Sequence, residues 1–140
     1  MEKYRKLPES ELAVMQAIWE EWKQDDREHI SAGRIMEKDS GLSELKLTTV
    51  LTLISRLAAK GFLETRKEDR VNYYRPLVDE EVYKQQAAAD FVATVYHNDS
   101  CGLLCALWDG GTLSGEDVEE LWKMIEQWKP GDKDEKGRKP

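Results

Sequence analysis

The chain has few of the residues on which enzymes and metal centres depend. Its 140 residues include only two histidines and two cysteines. No glycine-rich phosphate loop, G-x-S-x-G nucleophile motif or H-E-x-x-H zinc motif occurs in it. Because nothing supplies a nucleophile, a base and an orienting group together, the sequence predicts no catalytic residue and no cofactor.

Long apolar runs are also missing. No stretch approaches the ~20 apolar residues that cross a bilayer, and the first eleven residues, MEKYRKLPESE, lack the apolar segment of a signal peptide. We therefore expect a cytoplasmic protein with no membrane partner. The length of 140 residues and the 40% apolar content suit one compact domain, or a small domain with an oligomerisation element.

Positive charge is scarce overall but concentrated in one stretch. The net charge is −7, yet residues 46–75 carry +4, whereas residues 76–128 carry −9. A basic surface on an acidic body is compatible with phosphate binding. It also predicts modest nonspecific affinity with a strong dependence on salt.

The stretch from Lys46 to Leu77 predicts an amphipathic helix followed directly by a hairpin with a charged tip. Gly61 suits the left-handed position that ends a helix. Extended segments at 62–66 and 71–75 flank a polar turn at 67–70. The apolar stripe of the helix consists of Leu47, Val50, Leu53, Ile54 and Leu57. This layout is typical of a winged helix-turn-helix and makes DNA binding the leading hypothesis.

The rest of the chain is consistent with that fold. We expect helices at 9–22, 32–38, 45–60, 79–96, 101–108 and 115–128, a very short strand at 29–30 and a turn at 39–43. Ser31 and Ser114 are the predicted N-caps of the second and last helices. The predicted fold class is mainly α with a small β-hairpin, namely a winged helix-turn-helix plus a C-terminal helical dimerisation region. The expected domains are 1–78, 79–128 and a disordered charged tail at 129–140.

The last three predicted helices have apolar faces and no sheet to cover them. Pairing with a second copy would bury those faces, and two-fold dimers are the commonest oligomers. A homodimer would also set two recognition helices about one DNA turn, or a multiple of it, apart. The residues expected at the dimer interface are Phe91, Tyr96, Leu104, Leu107, Trp108, Val118, Leu121, Trp122 and Ile125.

Four segments carry a resemblance to a known family. LPESELAVMQAIWE at 7–20, TVLTLISRLAAKGFL at 49–63, DRVNYYRPLV at 69–78 and LSGEDVEEL at 113–121 resemble the penicillinase-repressor (BlaI/MecI) family of bacterial transcription repressors. The resemblance implies a homodimeric winged-helix repressor on an inverted-repeat operator of double-stranded DNA, controlling β-lactam resistance or related stress genes. It also implies a regulatory protease as a partner, which cleaves in the dimerisation region.

The resemblance and the winged-helix layout together assign the DNA contacts. Thr48 and Thr49 lie where a helix in the major groove reaches base edges, and a Thr hydroxyl can donate or accept there. Tyr74 is expected to pack inward and Tyr73 to point outward. The full predicted set is Lys46, Thr48, Thr49, Thr52 and Arg56 on the helix, with Arg66, Lys67, Arg70 and Tyr73 on the wing.

The chain departs from the family at three places, one of which concerns metal: copper-responsive relatives carry paired Cys-x-Cys motifs near the C-terminus, whereas this chain has only Cys101 and Cys105, four residues apart. Leu51 stands where members commonly carry a basic residue. Ala106 and Leu107, the candidate induction-cleavage region, stand where the best-studied members carry Asn-Phe.

Two alternative functions remain open. The net acidity is compatible with a winged-helix module that binds a protein partner instead of DNA. Cys101 and Cys105, four residues apart on one helix, are compatible with a metal- or thiol-responsive repressor, although two thiolates do not complete a closed zinc site. The less specific reading of these cysteines is reduced thiols buried in a dimer interface.

Overall fold

A computed structural model describes residues 4–128 of the chain. In this range the elements are α1 (Glu9–Trp22), a 3₁₀ turn (Arg27–His29), α2 (Ala32–Lys38), α3 (Ser40–Ser43), α4 (Leu47–Ala59), β1 (Leu63–Glu68), β2 (Val71–Pro76), α5 (Glu80–Val95), α6 (Ser100–Asp109) and α7 (Gly115–Gln127). This order confirms the predicted fold class, mainly α with a small hairpin. The tail predicted at 129–140 lies outside the described residues.

Side-chain caps fix several helix starts. The Ser31 hydroxyl accepts a hydrogen bond from the Arg34 amide at 3.2 Å and begins α2. Ser114 and Asp117 form a reciprocal capping box at the start of α7. Both predicted N-caps are therefore confirmed.

The described residues form two compact units, which divide between Asp90 and Phe91 and comprise residues 4–90 and 91–128. The N-terminal unit encloses the hydrophobic core, in which α4 packs against α1, α2 and β1. The Trp19 indole N–H donates to the Val78 carbonyl at 2.9 Å, and the Tyr83 hydroxyl accepts from the Leu7 amide at 2.9 Å. The first turn of α5 therefore belongs to the same core as α1.

Two buried acids on α1 hold neighbouring helices in place. Glu11 is 4% exposed and accepts from Lys60, just past the end of α4, at 2.5 Å. Glu21, also 4% exposed, accepts from Arg34 Nε on α2 at 2.7 Å. The Arg34 guanidinium also donates to three loop carbonyls, those of Asp25, Asp26 and His29.

The strands β1 and β2 pair antiparallel, with Thr65 opposite Tyr74 and Arg66 opposite Tyr73. Asp69 and Arg70 form the two-residue turn, with φ of 51° and 68°. The right-handed twist of the strands favours left-handed turn residues of this kind. The turn is thus two residues long, shorter than the polar segment 67–70 predicted to form it.

Three local predictions are wrong. Leu47 is 51% exposed, because α4 begins at this residue and its first turn extends beyond the core. His29 ends a 3₁₀ turn instead of forming a strand, and Ile30 makes a single backbone hydrogen bond, from Tyr74. Residues 40–43, expected as a turn, form the short helix α3, which the Asp39 carboxylate caps.

The C-terminal unit contains the end of α5, with α6 and α7. Neither α6 nor α7 has a buried residue. The unit nevertheless has defined local structure, since Asp99 caps α6 and the rings of Phe91 and Tyr96 lie 5.9 Å apart. In the described part of the chain, no helix has the length and apolar character needed to cross a membrane.

Candidate nucleic-acid interface

The helix α4 has two contrasting faces. Val50, Leu53, Ile54 and Leu57 are buried in the core, which confirms the predicted core stripe. The predicted DNA-contact residues of this helix are all exposed, namely Lys46, Thr48, Thr49, Thr52 and Arg56. The core therefore holds one side of α4 and leaves the other accessible along the whole helix.

The outward face of α4 carries short polar side chains. The Thr52 hydroxyl donates to the Thr48 carbonyl at 2.9 Å, so its proton is already used within the helix. The Thr52 oxygen can still accept a hydrogen bond, and its methyl group is available for apolar contact. Ser55 is exposed on the same face, one turn beyond Thr52 and Leu51. Sequence reasoning missed Ser55, because an isolated serine in a helix resembles an ordinary solvated residue.

The N-terminus of α4 has no side-chain cap. Lys46 occupies the N-cap position and makes no capping hydrogen bond, and the first backbone bond of the helix runs from the Val50 amide to the Lys46 carbonyl. The amides of the first turn therefore have no partner inside the helix. Together with the helix dipole they favour an anion at this end.

Four cations in the basic stretch have no partner for their side chains within residues 4–128. Among the seven Lys and Arg residues between 46 and 75, Lys60 pairs with Glu11, Arg66 with Glu68 and Arg75 with Glu64. The remaining four, all exposed, are Lys46, Arg56, Lys67 and Arg70. They lie at the start and on the surface of α4 and at the tip of the hairpin, which are the places where the fold brings basic residues to an accessible edge.

Arg66 and Tyr73 have protein contacts of their own. Arg66 donates to Glu68 Oε2 at 2.8 Å and also to the Glu28 carbonyl, and its guanidinium lies 5.3 Å from the centre of the Tyr73 ring. The Tyr73 ring meets His29 edge-on, with centroids 4.9 Å apart. These contacts attach one face of the wing to the 3₁₀ turn. Contact of Arg66 and Tyr73 with DNA stays a prediction.

His29 lies between two carboxylates at this attachment. Its Nδ1 is 2.6 Å from Asp26 Oδ1, and its Nε2 is 3.4 Å from Glu68 Oε1. The hydrogen bond to Asp26 is the main cause that raises the pKa of His29 above its ordinary 6.5, with Glu68 adding to it. On the other face of the hairpin Tyr74 is 4% exposed, which confirms its predicted structural role.

The residues expected at the dimer interface are accessible in the single chain. Large exposed fractions occur at Trp108 (61%), Ile125 (62%), Trp122 (60%), Phe91 (48%) and Leu104 (44%). The other members of the set, Tyr96, Leu107, Val118 and Leu121, are half-buried.

The candidate cleavage and thiol positions lie on α6. Ala106 is exposed and Leu107 is half-buried. Cys101 and Cys105 are free and exposed in the single chain. Among the described residues, no group of three or more His, Cys, Asp and Glu side chains is placed to hold a metal ion.

Comparisons with known proteins identify relatives along nearly the whole chain. The family model described as penicillinase repressor matches residues 7–127. The penicillinase repressor of Bacillus licheniformis is 29% identical over 129 residues, which cover 92% of this chain and 96% of that protein. The methicillin resistance regulatory protein MecI of Staphylococcus aureus (strain N315) is 28% identical over 119 residues, covering 85% of this chain and 92% of that protein.

Solved structures give a partial match. The solution structure of the DNA binding domain of the repressor BlaI is 33% identical and covers 59% of this chain and 94% of that domain, with a TM-score of 0.45.

Proposed function

Because the chain belongs to the penicillinase repressor family of DNA-binding transcriptional repressors, we propose that it acts in the cytoplasm as a homodimer on an inverted-repeat operator. Each protomer inserts α4 into the major groove, and the hairpin contacts the adjacent backbone. Occupation of the operator blocks a promoter, and no chemical step is involved. The family membership itself confirms the resemblance found in the sequence and the expectation that the protein is not an enzyme.

The distribution of unpaired cations carries this proposal. Within residues 4–128, Lys46 and Arg56 on α4, with Lys67 and Arg70 at the hairpin tip, lack the ion pairs that neutralise the other cations of the basic stretch. Free cations at these points can release counterions from DNA phosphates on binding. Carboxylates already neutralise Arg66 and Arg75, so those two contribute less.

The outward face of α4 supports the proposal that this helix reads bases. Thr48, Thr52 and Ser55 are exposed at spacings of four and three residues, so they follow one another along the helix surface. Their short side chains allow the helix backbone to approach the floor of the groove. Thr49 lies in the first turn, whose amides have no side-chain cap, and we propose that it binds a phosphate together with those amides.

The lack of buried residues on α6 and α7 supports the homodimer. Trp108 and Trp122 are each at least 60% exposed, and an aromatic side chain of this size gains a large apolar free energy on burial. A two-fold partner would cover both faces at once, since the same surface patch meets itself across the axis. We infer that this pairing sets the spacing between the two copies of α4.

The decisive experiment is a selection of binding sites from genomic DNA fragments by the purified full-length chain at ~150 mM salt, where nonspecific binding is mostly suppressed. The expected result is one inverted-repeat motif near promoters, and its neighbouring genes would identify what is regulated. The matched control is the double variant Arg56→Ala/Lys67→Ala, which should recover little DNA while remaining folded and dimeric. A folded, dimeric wild-type chain that enriches no motif would overturn the proposal and favour a protein-binding module.

A further inference from the structure

Two leucines on α4 are only partly covered in the single chain. Leu47 is 51% exposed and Leu51 is 36% exposed, although both belong to the helix that supplies the core stripe. Isolated exposed leucines are common in folded proteins. These two are four residues apart and are therefore neighbours on one flank of a single helix.

This apolar flank lies beside the face proposed to enter the groove. Leu51 directly precedes Thr52 and follows Thr48 by three residues, so it lies between the core stripe and the outward threonines. A groove that receives Thr48 and Thr52 must also take in the neighbouring Leu51 side chain. Lys46 at the start of α4 and Arg56 near its end are exposed and have no ion-pair partner within residues 4–128, so this helix attracts phosphates, which favours DNA as the occupant of the flank.

A leucine side chain can make no hydrogen bond, so it can contact bases favourably only where the groove presents an apolar group. Among the base edges in the major groove, that group is the 5-methyl of thymine. We propose that Leu47 and Leu51 are specificity-determining residues that contact thymine 5-methyl groups in each half-site. This inference rests on the proposed function, because it requires α4 to lie in the major groove.

The inference predicts a particular base preference. A basic residue at position 51 could bind guanine or a phosphate, whereas Leu51 can do neither. The operator of this protein should therefore carry thymines where the flank of α4 meets the groove. Removing a thymine methyl should weaken binding about fourfold at each contacted position, the loss expected for one buried methyl-sized group.

The test isolates the methyl group itself. The full-length chain selects binding sites from two random double-stranded DNA pools, one synthesised with thymidine and the other with deoxyuridine, which differs only in lacking the 5-methyl group. We expect an inverted-repeat motif with defined thymines in the first pool and a loss of preference at those positions in the second. The selected thymidine duplex and its deoxyuridine counterpart are then compared by titration at ~150 mM salt.

Variants connect the methyl effect to the leucines. Leu51→Ala and Leu47→Ala should bind the thymidine and deoxyuridine duplexes with more nearly equal affinity. Leu51→Met keeps an apolar side chain and should retain the discrimination. Leu77→Ala removes a leucine that is 49% exposed outside α4 and should leave the discrimination unchanged. Circular dichroism and thermal unfolding establish that each variant is folded.

The outcomes separate this inference from the function on which it rests. No motif in either pool would overturn the proposed function, and this inference with it. The same motif at equal affinity in both pools would leave the repressor function intact and overturn the role of the leucines. Discrimination that survives Leu47→Ala/Leu51→Ala would also overturn it, because another group would then contact the methyls.

Discussion

The two units of this chain bury their side chains very differently. The N-terminal unit encloses a core and fixes its helices with buried ion pairs, such as Glu11 with Lys60. In the C-terminal unit, α6 and α7 have no buried residue at all. The comparison indicates that the first unit carries the information for its own fold, whereas α6 and α7 leave large apolar side chains exposed in the single chain, which supports the proposed homodimer. In the proposed homodimer, a stable N-terminal unit would bind each half-site, and occupancy of the operator would depend on association of the two protomers.

The largest expected effect tests this comparison at the C-terminal unit, whose exposed apolar side chains are proposed to form the dimer interface. Trp122→Asp places a charge at a position where the tryptophan is 60% exposed in the single chain and buried in the proposed dimer. Each protomer loses the apolar free energy of burying this side chain. The two losses together amount to about 4 kcal/mol, which raises the dimer dissociation constant roughly a thousandfold. Sedimentation equilibrium measures it.

The matched control for that change is Gln127→Glu, which adds the same charge on α7 but on the side of the helix away from the expected interface residues Val118, Leu121, Trp122 and Ile125. It should leave the dissociation constant nearly unchanged. An equally monomeric Gln127→Glu chain, or a Trp122→Asp chain that stays dimeric, would contradict the dimer surface.

The next effect concerns the stability of the N-terminal unit. Glu11→Leu leaves the Lys60 ammonium, whose side chain is 20% exposed, without its partner. Because an uncompensated buried charge is costly, the free energy of unfolding should fall by about 3 kcal/mol. Urea titration followed by tryptophan fluorescence, to which the buried Trp19 contributes, measures the change in the free energy of unfolding.

The double variant Glu11→Leu/Lys60→Leu should regain most of that stability, since apolar residues can replace a buried ion pair. If the double variant were as unstable as the single one, packing at Glu11 rather than the unpaired charge would be the cause.

A smaller effect is expected at the proposed DNA-binding surface of the N-terminal unit. Lys67→Ala removes one unpaired cation per protomer, so the slope of log affinity against log salt should decrease by about two per dimer. At ~150 mM salt the operator should bind about tenfold more weakly. Filter binding or fluorescence anisotropy at several salt concentrations gives both numbers.

Arg75→Ala is the matched control for Lys67→Ala. Glu64 already pairs with Arg75, so the salt slope should change much less. Equal changes in the two variants would show that pairing with Glu64 does not decide which cations meet the DNA.

The smallest effect concerns the attachment of the wing. His29 has a raised pKa, caused first by its hydrogen bond to Asp26 and then by Glu68. A group whose pKa is higher in the folded state contributes stability that is fully present below its unfolded pKa of ~6.5 and is lost as pH rises through the folded value. We therefore expect a slight loosening of the wing over that range.

NMR titrations of the His29 imidazole in the wild type and in Asp26→Asn test the cause of the raised pKa. The pKa of His29 should fall towards 6.5 when the carboxylate is removed. An unchanged titration curve would show that Asp26 does not determine the pKa.

Local rules account for the parts of the structure that the sequence predicted. Ser31 and Ser114 cap helices because their hydroxyls accept from amides three residues later in the chain. The inward position of Tyr74 follows from the alternation of side chains along a strand. Features of this kind can be predicted from the sequence because they depend on only a few neighbouring residues.

The features that escaped prediction depend on residues far apart in sequence. Arg66 contacts the Glu28 carbonyl across 38 positions, and Lys60 reaches Glu11 across 49. Charge counting treated both as free cations of the basic stretch. The exposure of Leu47 escaped for a related reason, because helical spacing cannot show how far the core extends beneath the first turn.

The tip of the hairpin places two properties of the protein in opposition. Arg70 holds a left-handed backbone conformation with φ of 68°, which costs a non-glycine residue about 1 kcal/mol or more. A glycine there would relax the turn and raise thermal stability, but it would also remove an unpaired cation. Selection for heat resistance alone would therefore be expected to replace Arg70 with glycine, whereas selection for operator occupancy would retain arginine. The residue found at this position in a lineage evolved at high temperature would show whether thermal stability or operator occupancy had been the stronger selection.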